Sequence, residues 1–140
     1  MEQRLSLISL GVKDMANSRA FYEKLGWVAS ASSTADVTFF QLGGLILGLY
    51  GLGALAAEAG QSPGSGFDGI TLAHNARSKA EVDTLLAEAK AAGGQILKPA
   101  EEVFWGGYSG YFADPDNHAW EIAWNPFFPI ADDGTISMPD

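Results

Sequence analysis

The chain has 140 residues, 47% of them apolar with 8 Phe and 4 Trp, enough for one domain or two small half-domains sharing a buried core. Its formal charge of −9, with only 8 Lys and Arg and no basic stripe, argues against nucleic acid or an anionic membrane as the main partner. Zero cysteines exclude disulfides and thiolate chemistry, no signal peptide is expected from MEQRLSLISLGVKDM, and the sequence has no apolar run of about 18 residues, so a cytoplasmic location is expected.

In chain order, Leu5 to Val12 reads as an apolar strand, and Asp14 is placed to cap the helix that follows. Phe21, Tyr22 and Leu25 recur at helical spacing, and Gly26 stands where a helix ends. A short strand over Trp27–Ala31 is predicted next. Val37–Leu42 and Leu45–Tyr50 then flank Gly43-Gly44, a two-residue hairpin signal. Residues 51–66, GLGALAAEAGQSPGSG, read as a connector with room for one helical turn.

The order then repeats. Gly69–His74 reads as a strand. Ser78 and Glu81 form a capping-box pattern, and Val82, Leu85, Leu86 and Ala89 give one apolar helix face. Gly93-Gly94 ends it. Gln95–Lys98 is a short strand, and Tyr108–Ala113 and His118–Trp124 flank the turn Asp114-Pro115-Asp116-Asn117. The chain is thus read as two copies of βαβββ, an α+β fold, with modules at 5–50 and 67–126 and a C-terminal tail at 127–140.

GVKDMANSRAFYEKLGW and GYFADPDNHAWEIAWNP, in these two slots of a duplicated βαβββ order, resemble the glyoxalase/bleomycin-resistance (vicinal-oxygen-chelate) superfamily. The resemblance runs from about residue 5 to 126. It implies that each module curls its sheet and that the pair forms an open cup, often in a homodimer. It also implies, in metal-dependent members, four ligands: one in the first and one in the last strand of each module. Carried onto this chain those slots read Leu7, Gly48, Gly69 and Glu121. Leu and Gly offer no donor atoms, and one carboxylate is a poor shell for Zn²⁺, Ni²⁺ or Fe²⁺. No metal and no other cofactor is therefore expected. His74 and His118 lie at odd offsets from the ligand slots, so strand alternation turns both away; turn or helix-side packing is expected for them.

Strand parity predicts what shares the cup with Glu121. From the second hairpin come Tyr108, Gly110 and Phe112; from the first, Phe39, Gln41, Ile46 and Tyr50; from the first strands, Leu7, Ser9 and Thr71. Trp105, in FWGGY before the seventh strand, is read as a lid stacking on a flat ligand or as a turn closing the core or a dimer contact. Phe127 and Phe128 are expected against a partner subunit or a module edge. Glu121 is the one candidate catalytic residue, as general base or as acceptor for a ligand amine or hydroxyl; the plainer alternative is a carboxylate solvated or bonded to a tyrosine. The leading expectation is a metal-free binder of planar, aromatic or cationic small molecules. Its competitors are a divergent lyase, isomerase or dioxygenase using Glu121 with a non-standard metal site, and a non-catalytic interaction module.

Overall fold

The computed structural model describes residues 6–64, 66–67 and 70–136. The chain divides into two compact units, Met1–Gly69 and Ile70–Asp140. The architecture is α+β.

In the first unit, β1 (Leu7–Val12) and β2 (Val37–Leu42) flank β3 (Leu45–Gly51) in a three-stranded sheet, parallel on one side and antiparallel on the other. Helix α1 (Met15–Lys24) starts where Asp14 accepts the Asn17 amide at 3.0 Å and stops before Gly26, whose φ of 87° suits glycine. It packs against the sheet face carrying Leu10, Val12, Phe40, Leu47 and Leu49, all buried. Tyr22, Trp27 and Phe40 stack there with ring centroids 5.1–5.7 Å apart.

The strand predicted over Trp27–Ala31 shrinks to a single bridge, Ala29 to Phe40. The reason is local. Ser33 Oγ takes the Phe39 amide at 3.0 Å and Thr34 Oγ1 takes those of Asp36 and Val37, so hydroxyls occupy ladder donors. The connector, in turn, holds more than one turn of helix. Helix α2 (Leu52–Glu58) packs on β1 and β3, with Leu52 over Gly11; a Cβ on Gly11 would meet Leu52 Cδ1 at 2.6 Å.

In the second unit, the sheet order is β4 (Thr71–Asn75), β7 (Ala119–Trp124), β6 (Tyr108–Ala113), β5 (Gln95–Glu102). Helix α3 (Lys79–Ala92) has Ser78 accepting the Glu81 amide at 3.1 Å, while Glu81 reaches back to the Arg77 amide. Its face of Val82, Leu86 and Ala89 is buried against β5, β6 and β7. The first predicted strand is Thr71–Asn75, not Gly69–His74; Gly69 lies outside the described residues, as do Leu5 and residues 137–140.

Candidate functional site

The two hairpins meet their predictions differently. In the first, the two-residue turn pairs Leu42 with Leu45, Gln41 with Ile46, and Phe39 with Gly48. Parallel pairing adds Leu7 beside Ile46 and Ser9 beside Gly48. Phe39, Gln41, Ile46, Tyr50, Leu7 and Ser9 therefore share the face opposite α1, as parity predicts. Their hydrogen bonds narrow what they can do. Gln41 folds back to donate to the carbonyls of Gly43 and Leu45. Tyr50 bonds Glu58 of α2, which together with the Glu58 charge holds its phenol above the usual range.

In the second hairpin the register is one residue off the prediction. Ala113 pairs with Ala119 across five residues, not four, so Tyr111 stands opposite Glu121. A one-residue slip moves every side chain of a strand to the other face. Tyr108, Gly110 and Phe112 consequently lie on the α3 side. Tyr108 donates to Asp83 Oδ1 of that helix at 2.9 Å, and Phe112 is buried, stacked on Trp120 at 6.2 Å. The extra loop residue has a clear cause. Buried Asp114 accepts the amides of Asp116 and His118 at 2.9 and 2.8 Å and faces the His118 ring at 2.8 Å. His118 thus belongs to the turn, and Asn117 adopts φ 73°. His74 pairs with Ile122 on the α3 side.

Trp105 lies flat on Gly107, where a Cβ would fall 1.7 Å from its ring, within a turn closed by Val103 and Gly107 at 3.0 Å. Phe104 beside it is 102% exposed; Phe127 is 59% exposed, and a Cβ on Gly106 would lie 3.8 Å from its ring.

The face opposite α3 holds a polar row that sequence reasoning found only in part: Ala73, Glu121, Tyr111 and Lys98, on β4, β7, β6 and β5. Small residues flank it, with Thr71, Ala119 and Ala113 on one side and Ala123 and Ser109 on the other. The Tyr111 phenol stands opposite the Glu121 carboxylate, near enough for a hydrogen bond to contribute to its pKa. Burial first, then the Glu121 charge and that bond, push the phenol above its ordinary range, against a smaller opposing pull from Lys98. Lys98 is aimed here by a bulge. Ile96 pairs with Phe112 but Lys98 pairs with Tyr111, so Leu97 is left over and Lys98 changes face. Its ammonium sits 2.7 Å from Glu101, which holds its pKa above the ordinary lysine value. Pro99 inside a strand was the available signal for this irregularity.

The ligand slots can be checked against register. Leu7 stands seven residues before the α1 cap, Asp14, and Thr71 stands seven before the α3 cap, Ser78. Leu7 pairs with Ile46, two before Gly48, and Thr71 with Ala119, two before Glu121. Thr71, rather than Gly69, is the counterpart of Leu7. The slots then offer one carboxylate and one hydroxyl in the second unit and no donor atom in the first. Such a set does not fit a divalent metal. Among the described residues no three His, Cys, Asp or Glu side chains gather in a way that could hold one.

Comparison with known proteins accords with this geometry. The model of the Glyoxalase/Bleomycin resistance protein/Dioxygenase superfamily matches residues 4–122. A glyoxalase-related enzyme from Fulvimarina pelagi is 38% identical, with a TM-score of 0.92 over 99% of this chain and 100% of that one. A glyoxalase/bleomycin resistance protein/dioxygenase from Nocardioides is 25% identical, with a TM-score of 0.72 over 90% and 86%. Lactoylglutathione lyase from Agrobacterium tumefaciens, 22% identical with a TM-score of 0.65 over 89% and 95%, shares the fold. No curated protein matches the chain.

Proposed function

The chain belongs to the Glyoxalase/Bleomycin resistance protein/Dioxygenase superfamily, and within it we propose a metal-free small-molecule-binding protein whose ligand meets the face opposite α3. One observation supports this above the others. Glu121, in the one ligand slot that keeps a carboxylate, is engaged by the Tyr111 hydroxyl and flanked by small residues instead of by further metal donors. A half-buried carboxylate so placed accepts hydrogen bonds from an amine or hydroxyl of a planar neutral or cationic guest, while beside it Ala73 is exposed and Ala119 half-buried. Tyr111 fixes the orientation of Glu121, and Lys98 at the sheet edge disfavours a second positive charge at that end. No cofactor takes part. A cytoplasmic location suits a cysteine-free chain, and among the described residues no helix is long and apolar enough to cross a membrane.

A panel of aromatic amines, phenols and purines, followed by amide NMR shifts, tests the reading. Saturable shifts at Ala73, Tyr111 and Glu121, weakened roughly tenfold or more by Glu121→Gln, are expected. A panel that leaves these amides unmoved overturns it. The second reading is catalysis at the same face with Glu121 as base; the description of the Fulvimarina pelagi protein as an enzyme favours it. Mass analysis of each bound guest after incubation separates the two, since binding alone returns the guest unchanged.

A further inference from the structure

The second unit contains a cavity that the polar row does not use. It has a volume of about 300 Å³ and lies where the chain leaves β7, walled by Trp124, Pro126, Phe128 and Ile130, with Arg77 at its polar side. Trp124 is three residues from Glu121 on the same strand, so the two point to opposite faces. The cavity is therefore separate from the face carrying Glu121, Tyr111 and Lys98.

Its walls are fixed rather than loose. Asn125 Oδ1 accepts the Phe127 amide at 3.0 Å and Asn125 O accepts that of Phe128 at 3.2 Å, which sets the turn bearing Phe128. The Lys79 ammonium lies 5.2 Å from the centroid of the Trp124 ring and also pairs with Glu102. Arg77 is held in turn. Its Nη1 donates to Ile130 O at 3.0 Å and its Nη2 to Ala131 O at 2.8 Å. Both acceptors are neutral carbonyls, and among the described residues no carboxylate is ion-paired with this guanidinium. A guanidinium carries five N–H donors in a fixed plane, so donors remain after these two bonds. In a chain of net charge −9, a guanidinium held by two carbonyls and in no ion pair among the described residues, beside an aromatic and proline-walled cavity, selects for an anion with a flat apolar body.

We propose that this cavity is a second small-molecule site, specific for single-ring aromatic carboxylates, with the ring against Trp124 and Phe128 and the carboxylate on Arg77. The volume lies at the small end of ligand cavities, which suits one ring and not two. Arg77 pairs a carboxylate through charge-assisted bonds that a neutral amide cannot reproduce.

Benzoate, benzamide and acetate, titrated separately into the full chain labelled with ¹⁵N, test the proposal. Benzoate is expected to shift the Trp124 indole N–H and the Arg77 Nε–H together, saturably. Benzamide and acetate are expected to bind at least tenfold more weakly, and Arg77→Gln to weaken benzoate roughly 10- to 100-fold. Benzamide binding as well as benzoate removes the anion specificity, and acetate binding as well as benzoate removes the aromatic part; either overturns the proposal. So does benzoate that leaves the Trp124 indole unmoved. These comparisons on the native chain stand even if Arg77→Gln loosens the segment it clamps.

Discussion

Gly110 is the glycine of the second unit that is hemmed in by strand backbone. A Cβ built there would meet Leu86 Cδ1 of α3 at 2.7 Å, Ala100 N at 2.9 Å and Lys98 O at 2.9 Å. The leucine tip can rotate, but the other two atoms are backbone of β5, at the bulge that turns Lys98 toward Tyr111. Relieving them means moving that strand by about 0.5 Å or more, toward ordinary contact distances. Overpacking of this kind costs about 1–3 kcal/mol, and immovable backbone places Gly110→Ala at the upper end. Against this stands a gain of about 0.4–1 kcal/mol from stiffening the unfolded chain. The steric cost wins, for a net loss of about 2 kcal/mol. Gly48→Ala is the matched control: the nearest atoms to its Cβ would be the Phe39 ring at 3.4–3.5 Å and Ser9 Oγ at 3.8 Å, all side chain at ordinary contact distance, so its change should stay within about 1 kcal/mol. Urea unfolding followed by tryptophan fluorescence measures both. Equal midpoints for Gly110→Ala and Gly48→Ala would refute the claim that α3 and the β5 bulge close over Gly110.

Other outcomes follow from the same geometry. Tyr50, Tyr108 and Tyr111 all have phenols held above the ordinary value, chiefly by Glu58, by Asp83 and by burial respectively. A raised folded-state pKa favours the neutral phenol, so this contribution is complete below the unfolded tyrosine value near pH ~10 and is lost as pH rises above it. Unfolding midpoints should therefore fall above that pH, and Glu121→Gln should let Tyr111 ionise at lower pH in an absorbance titration; a Tyr111 curve unchanged by that substitution contradicts the Tyr111–Glu121 bond. Asp114→Ala strips two backbone amides and the His118 ring of their buried partner and should cost about 3 kcal/mol in the same urea assay; a loss below about 0.5 kcal/mol would mean the turn does not depend on it. Phe104 and Phe127 are both exposed large apolar side chains of the second unit, through which we propose a homodimer. Light scattering should report a dimer that Phe104→Ser with Phe127→Ser converts to monomer, and a native monomer at all concentrations removes that proposal.

Much of the fold was legible because local signals agreed. Asp14 and Ser78 cap their helices, Gly43-Gly44 sets a two-residue turn, and parity then puts Phe39, Gln41 and Tyr50 on one face of the first sheet, as the register has them. The second hairpin was not, because turn length decides parity and the Asp114 side chain adds His118 to the loop. That one residue exchanged Tyr111 for Tyr108 and Phe112 as neighbours of Glu121. Lys98 was hidden for a related reason: its side depends on a bulge, which alternation cannot express. Helix α2 was obscured by Gly51, Gly53 and Gly60 around it; a helix this short is held by tertiary contacts, Leu52 on Gly11 and Glu58 on Tyr50, more than by propensity. Glu121 itself was found from the resemblance, but what it touches required the register.

Whether Glu121 anchors a ligand or a metal is the point on which the account turns. Inductively coupled plasma mass spectrometry of the protein prepared without chelators, before and after equilibration with Zn²⁺, Ni²⁺ and Fe²⁺, tests it most directly. The donor-poor slots Leu7, Gly48 and Thr71 predict metal well below one per chain in every case, unchanged by Glu121→Gln. One tightly held metal per chain, lost on that substitution, would contradict the account.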